Sequence, residues 1–193
     1  VREPAMDARA KASAGEGAQA EDQSKTVSHA KDACLRLLAR RPRSRAELEQ
    51  RLARRGFDAD VVNAALDRLA ECGLIDDAEF AEMLTRSRHT FSGRGRRAIA
   101  VELRQKGISD HDAARALAQI STDDERARAT ELVRRKLRSN FDRRTDTDRL
   151  AQRLVGMLAR RGFGQGLAVG IVKAELAAAG AELEEMPTEI SDE

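Results

Sequence analysis

Few residues in this chain are of a type and spacing that could do chemistry. His29, His89 and His111 sit at polar positions with no ligand spacing among them. Cys34 and Cys72 stand apart from each other and complete no zinc pattern. Both fall on apolar stripes and read as buried free thiols, which fits a reducing compartment. Gly164, Gly166 and Gly170 imitate the spacing of a dinucleotide loop, but such a loop follows a strand inside a βαβ unit. A helical pattern precedes them here, so they read as packing glycines. The acid pairs Asp76–Asp77 and Asp123–Asp124 lie at helix starts, where capping and the helix dipole account for them. The expectation is a protein that is not an enzyme and needs neither a metal nor another cofactor.

The cations carry more information. Residues 1–28 hold four basic and five acidic groups, and residues 181–193 hold six acidic groups and no basic one. Residues 29–180 are left with 31 basic and 22 acidic groups, a net of +9 within a chain whose total is +2. A basic body with less basic ends suits an acidic or polyanionic partner. Arg54–Arg55, Lys106 and Arg160–Arg161 each close a predicted helix, where favourable interaction with the dipole is the plain explanation. Arg94, Arg96 and Arg97 instead crowd a helix start, where positive charge is disfavoured. Arg43, Arg94 and Arg149 each lie 13 residues before a glycine of an internal repeat. With Arg153 on the same helix as Arg149, they form a candidate binding set whose rival reading is an ordinary solvated face. Phe57 and Phe163 belong to glycine turns, Phe80 belongs to a helix stripe, and Trp and Tyr are absent. Readout of single-stranded bases by ring stacking is therefore disfavoured.

The elements that position these cations come from the repeat. Leu48, Leu52, Gly56 and Phe57 have counterparts in Ile99, Leu103, Gly107 and Ile108, and again in Leu154, Leu158, Gly162 and Phe163. Apolar residues four apart stack on one helix face. A glycine just past the helix end can take the left-handed conformation of a Schellman ending, bringing Leu52 to Phe57. Further apolar pairs follow each glycine: Val62 and Leu66, Ala113 and Leu117, Ala168 and Val172. Each unit is then helix, glycine turn, helix, completed by a preceding helix.

Taken in order, residues 1–28 lack an apolar cluster and are expected to be disordered. A helix is expected over Ser28–Arg41, stopped by Pro42. Ser44 and Glu47 form a capping-box pair, and Asp58 can cap the third helix. Leu74 can close on Leu69 around Gly73 in the Schellman manner. The stripe through Phe80 and Leu84 is expected to run to about Phe91. Ser92–Gly95 breaks the chain, Ser109 caps the next helix, and Ser121–Asp124 punctuates again. The third unit has Ala129, Leu132, Val133, Leu137 and Phe141 on one helix, a polar connection over Arg143–Thr147, then Leu150, Leu154, Val155 and Leu158. A last helix is expected over Leu167–Ala178, with the acidic end frayed beyond Gly180. No run approaches the roughly 18 apolar residues of a membrane span, and no leader pattern suggests secretion. The fold is expected to be all-α, an elongated tandem array of three three-helix repeats over residues 29–75, 76–121 and 122–180, with disordered tails at 1–28 and 181–193.

Leu74-Ile75-Asp76-Asp77-Ala78-Glu79-Phe80-Ala81, then Arg86-Ser87-Arg88, then Gly93 through Ile99, Glu102, Leu103, Arg104, Lys106, Gly107 and Ile108, resembles the signature of the RecX regulatory family. The resemblance extends over about residues 30–180, more loosely in the third unit. It implies a cytoplasmic, monomeric regulator that binds RecA recombinase in the groove of its nucleoprotein filament, with a possible contact to the DNA phosphate backbone. It implies suppression of filament growth, ATP hydrolysis, strand exchange and co-protease activity, and so a role in DNA repair and the SOS response. On that reading Arg86, Arg88, Arg104 and Lys106 join Arg43, Arg94, Arg96, Arg97, Arg149 and Arg153 in the binding set, while Asp76, Asp77 and Glu102 are structural motif positions. Phe91-Ser92-Gly93 departs from a more basic spacer expected of the family. The alternative is a helix-turn-helix transcriptional regulator over Ser44–Ile75, which would need a β-hairpin wing after Ile75.

Overall fold

The computed structural model describes residues 26–140 and 147–185. Regular structure among them is helical throughout: α1 (26–38), α2 (Arg45–Ala53), α3 (Ala59–Glu71), α4 (Asp77–Thr90), α5 (Arg96–Gln105), α6 (Asp110–Ala118), α7 (Thr122–Asn140), α8 (Thr147–Arg160) and α9 (Gln165–Glu185). The all-α expectation holds. Residues 1–25, Phe141 and the 143–146 connection, for which the sequence sets expectations, lie outside the described residues, as does the chain beyond 185.

The chain divides into two compact units. One comprises the described residues up to Phe80 together with Lys106–Ile108; the other comprises Ala81–Gln105 and the described residues from Ser109 onward. In the first unit, Ala30, Ala33, Cys34 and Leu37 of α1, Leu48 and Leu52 of α2, and Val62, Ala65, Leu66 and Leu69 of α3 share one core with Ile75. Each buried leucine stabilises by about 1.5–3 kcal/mol relative to exposure. α1 starts before Ser28 because Val27 is itself 4% exposed and belongs to this core. It ends at residue 38 rather than Arg41, closing on bonds from Ala39 N to Leu35 O and Arg40 N to Leu37 O. Cys34 is buried as expected, and burial pushes its thiol pKa up. Cys72 is exposed, against expectation. It sits at the cap after α3, just where the chain turns outward into Gly73.

In the second unit α7, α8 and α9 enclose Ala129, Leu132, Val133, Leu137, Leu150, Leu154, Leu158, Phe163, Ala168 and Val172. Val155 is only partly buried at its edge. Leu84, Ile99, Leu103 and Ala116 are buried on α4, α5 and α6, as is Ile120 just past the end of α6. Ala113 and Leu117 are half-buried, so the inward face of α6 is turned by one residue, about 100°, to centre on Ala116. Phe91 does not extend the inward stripe; α4 stops at Thr90 and the ring is 83% exposed. α9 passes through Gly180 to Glu185. A mid-helix glycine costs only about 1 kcal/mol against alanine, and the alanines and glutamates around it favour helix.

The glycine turns form as read. Gly56 donates to Ala53 O and Phe57 N to Leu52 O, while Gly162 donates to Ala159 O and Phe163 N to Leu158 O. Gly56, Gly107 and Gly162 have φ of 83°, 72° and 86°. Gly73 repeats the pattern, with Leu74 N bonding Leu69 O, although the Leu74 side chain stays 51% exposed. Gly107 and Gly162 also meet a second demand. A Cβ on Gly107 would lie 2.4 Å from Ala46 Cβ, and one on Gly162 would lie 2.3 Å from Ala98 N. Both glycines are thus seated on the first turn of a middle helix, α2 in one unit and α5 in the other. Gly56 meets nothing within 4 Å.

Candidate functional site

The turn Gly93–Arg97 is fixed almost entirely through its backbone. Gly93 takes φ +59°, and Arg94 N bonds Arg88 O at 3.0 Å. Gly95 N bonds Arg161 O at 2.9 Å, Arg97 N bonds Gly162 O at 3.2 Å, and Arg96 N bonds the Glu125 carboxylate at 2.9 Å. A Cβ on Gly95 would stand 2.6 Å from Gly162 C and O, so the two segments touch backbone to backbone. The Arg161 guanidinium adds bonds to Ser92 O and Gly93 O. Glu125 places negative charge at the start of α5, where the dipole favours it and where it offsets the crowded arginines.

These bonds decide what the turn can do. Three amides at the start of α5, those of Gly95, Arg96 and Arg97, are already taken by Arg161, Gly162 and Glu125. The groups this turn offers an incoming phosphate or carboxylate are chiefly its guanidinium groups. Arg94 and Arg97 are exposed and Arg96 half-buried, and their side chains have no partner among the described residues. Arg104, on the same helix, is also exposed and unpaired there. Phe91 stands beside this turn in sequence as the most exposed large apolar side chain described, a feature that sequence reasoning had placed at the end of a buried stripe.

Other members of the predicted set have structural employment. Arg88 clamps Glu102 with three contacts of 2.7–2.9 Å, and that hydrogen bonding raises its pKa. Lys106 reaches Glu47 at 3.0 Å and lies 5.8 Å from the Phe80 ring centroid. Burial would raise the Glu47 pKa, but hydrogen bonds from Arg41 and Lys106 outweigh it and hold the carboxyl at about 2. Arg43 donates to Leu37 O, and its pKa is lowered by burial and by Arg41, against the pull of Glu47. Arg86 and Arg153 are exposed; Arg149 is exposed and engaged.

The acidic motif positions act as caps and clamps. Asp76 accepts from Ala78 N and Glu79 N, and Asp77 accepts from Arg45 N at the head of α2. Asp77 on α2 and Glu125 on α5 are the same device used twice, one in each unit. Ser44 is fully buried, takes the Glu47 amide and returns a 2.6 Å bond to Lys106 O, so the capping box also holds the Lys106–Ile108 segment. Ser109 caps α6, and Ser121 exchanges bonds with Asp124. Asp58 occupies the cap position of α3 without a side-chain bond. Gly166 and Gly170 lie inside α9 with open space where a Cβ would go. They are neither a phosphate loop nor packing glycines, and nothing in the structure explains them. Among the described residues no three His, Cys, Asp or Glu side chains gather as a metal site.

Comparison with known proteins places this architecture. Residues 30–69 match the family model for the RecX first three-helix domain, and residues 76–117 match the RecX second three-helix domain. The chain is 51% identical over 164 residues to a protein of Mycolicibacterium smegmatis named Regulatory protein RecX, covering 84% of this chain and 87% of that one. The chain belongs to the RecX family. A relative of the same name from Mycobacterium tuberculosis is 50% identical over 147 residues, covering 75% of this chain and 84% of its own. Crystal structures share the fold: RecX from Lactobacillus salivarius superposes with TM-score 0.69 at 23% identity over 78% of this chain and 97% of its own. A second crystal structure, of a regulatory protein RecX, gives TM-score 0.67 at 24% identity over 79% of this chain and 74% of its own. Arg43 falls within the first matched domain. Arg86, Arg88, Arg94, Arg96, Arg97, Arg104 and Lys106 fall within the second, and Arg149 and Arg153 lie outside both.

Proposed function

We propose that the chain regulates RecA recombinase by binding its nucleoprotein filament and suppressing filament growth, ATP hydrolysis, strand exchange and co-protease activity. Membership of a family whose relatives are named regulatory proteins carries this reading. The pinned turn before α5 supports it: Arg94, Arg96 and Arg97 are held on a backbone-bonded support with no carboxylate paired to their guanidinium groups among the described residues, as a surface for acidic groups or phosphates requires. Arg86 and Arg104 are the next cations available, with Arg43, Arg149 and Arg153 extending the set. Arg88 and Lys106 act indirectly through Glu102 and Glu47. The three bundles at 29–75, 76–121 and 122–180 would each add a modest contact, and their tethering would raise effective concentration for the next.

On this reading the protein works in the cytoplasm as a monomer, performs no catalysis, and can touch the DNA backbone within the filament. No described helix is long and apolar enough to cross a membrane. The transcriptional alternative gains nothing from the fold, because α4 begins at Asp77, where a β-hairpin wing would have to start. RecA ATP hydrolysis on single-stranded DNA, measured across a titration of the protein, tests the proposal. Dose-dependent loss of turnover is expected. Unchanged turnover at several-fold molar excess over RecA would exclude inhibition of the filament.

A further inference from the structure

Phe91 is an apolar ring that the fold leaves in water yet ties down through its backbone. It is 83% exposed, and its amide closes α4 on Ser87 O at 3.0 Å. The carbonyls on either side of it are each held by a guanidinium from another helix. Arg128 of α7 donates to Thr90 O. Arg161, just past α8, donates to Ser92 O at 3.1 Å and to Gly93 O at 3.4 Å. A Cβ on Gly93 would stand 3.3 Å from the Leu132 side chain, so the turn also rests against α7. A ring that adds no burial to its own core, on a backbone bonded at both sides, has the form of a binding anchor. One fixed before association loses less freedom on binding.

The surroundings of the ring select its counterpart. Arg97, Val101 and Arg104 follow on α5, and their spacing of four and three residues puts them on one helix face. All are exposed, Val101 by 50%. Val101 offers neither a charge to a phosphate nor a π face to a base. Exposed apolar side chains bordered by arginines are the composition of a protein–protein contact, where aromatic residues and Arg are enriched. Base stacking asks for a different set, successive rings along a basic groove. Phe80 and Phe163 are buried and Phe57 packs on a core, which leaves Phe91 as the exposed ring among the described residues. The border sets the charge of the counterpart, because Arg94, Arg97 and Arg104 pair with no carboxylate among the described residues. We propose that Phe91 anchors this turn on protein rather than on DNA: the ring enters an apolar pocket of RecA whose rim carries carboxylates for these arginines. This assignment rests on the proposed function and names the component of the filament that the turn recognises.

The test places 4-fluorophenylalanine at position 91 of the full chain and follows its ¹⁹F resonance. The probes are RecA alone, single-stranded oligothymidylate alone, and RecA assembled on that oligothymidylate. With RecA, free or assembled, the resonance should shift and lose its H₂O/D₂O isotope effect; oligothymidylate alone should leave it unmoved. Phe91→Ala should need at least about tenfold more protein for half-inhibition of RecA ATP hydrolysis, at an unchanged urea midpoint, whereas Phe91→Leu should stay within about threefold of wild type. Leucine fills an apolar pocket but cannot stack on a base. A shift with oligothymidylate alone, or Phe91→Leu as defective as Phe91→Ala, would overturn the pocket assignment in favour of stacking. An unmoved resonance in a wild-type chain that does inhibit RecA would overturn the anchor and leave the proposed function standing. Absence of inhibition by the wild-type chain would remove both.

Discussion

Leu103 and Glu47 represent the two ways single residues hold this fold. Leu103 is fully buried on α5. Leu103→Ala should cost about 2–5 kcal/mol by loss of transfer energy plus a cavity, read as a lower urea midpoint. A loss of a few tenths would place it outside the core. Glu47 contributes through its depressed pKa, about 2 against an ordinary 4.5. A carboxyl depressed by folding stabilises fully above its unfolded pKa, and that contribution fades as pH falls toward the folded value. Wild type should therefore lose up to about 3 kcal/mol between pH 4.5 and 2 that Glu47→Gln never had. Urea midpoints of the two should differ at pH 7 and converge near pH 2. A constant difference across that range would remove the Arg41 and Lys106 bonds as the cause.

At the scale of elements, the repeat glycines separate into two grades that the sequence alone did not distinguish. Gly56→Ala should cost about 1–2 kcal/mol, the penalty of the left-handed backbone. Gly162→Ala should cost clearly more, because its Cβ would also enter the first turn of α5 at 2.3 Å from Ala98 N. Equal losses in urea unfolding would mean that seating contributes nothing. The sequence showed the glycine stops, the Ser44–Glu47 box and most inward faces, because each is a local pattern with a local cause. It did not show that Asp77 and Glu125 cap helices remote from them in sequence, that Gly95 touches Gly162, or that Arg88 and Lys106 spend their charge inside the fold. Those depend on which segments meet in space. Cys72 and Phe91 were misplaced for a related reason. Each lies at the last turn of a stripe, where one residue of helix decides between core and solvent.

For the molecule as a whole, the net of +9 over residues 29–180 sets the terms of association. If phosphates or acidic side chains supply the partner charge, affinity for the RecA filament should fall steeply with added salt. Salt-independent affinity between 50 and 200 mM, within the range where about 10³-fold or greater losses accompany multiple phosphate contacts, would assign binding to apolar contacts. The candidate site was legible as composition and spacing: Arg94, Arg96 and Arg97 stood out as misplaced cations at a helix start. What made them credible as a surface, the engagement of the Gly95, Arg96 and Arg97 amides by Arg161, Glu125 and Gly162, was not readable from the sequence.

The most direct measurement compares wild type with the Arg94→Ala, Arg96→Ala, Arg97→Ala triple variant in the RecA ATP hydrolysis assay, with urea midpoints taken on both. These guanidinium groups hold no carboxylate among the described residues, so the variant should unfold at the wild-type midpoint within about 0.5 kcal/mol. It should nevertheless need at least tenfold more protein to reach half-inhibition. An unshifted inhibition curve from a folded variant would contradict the account.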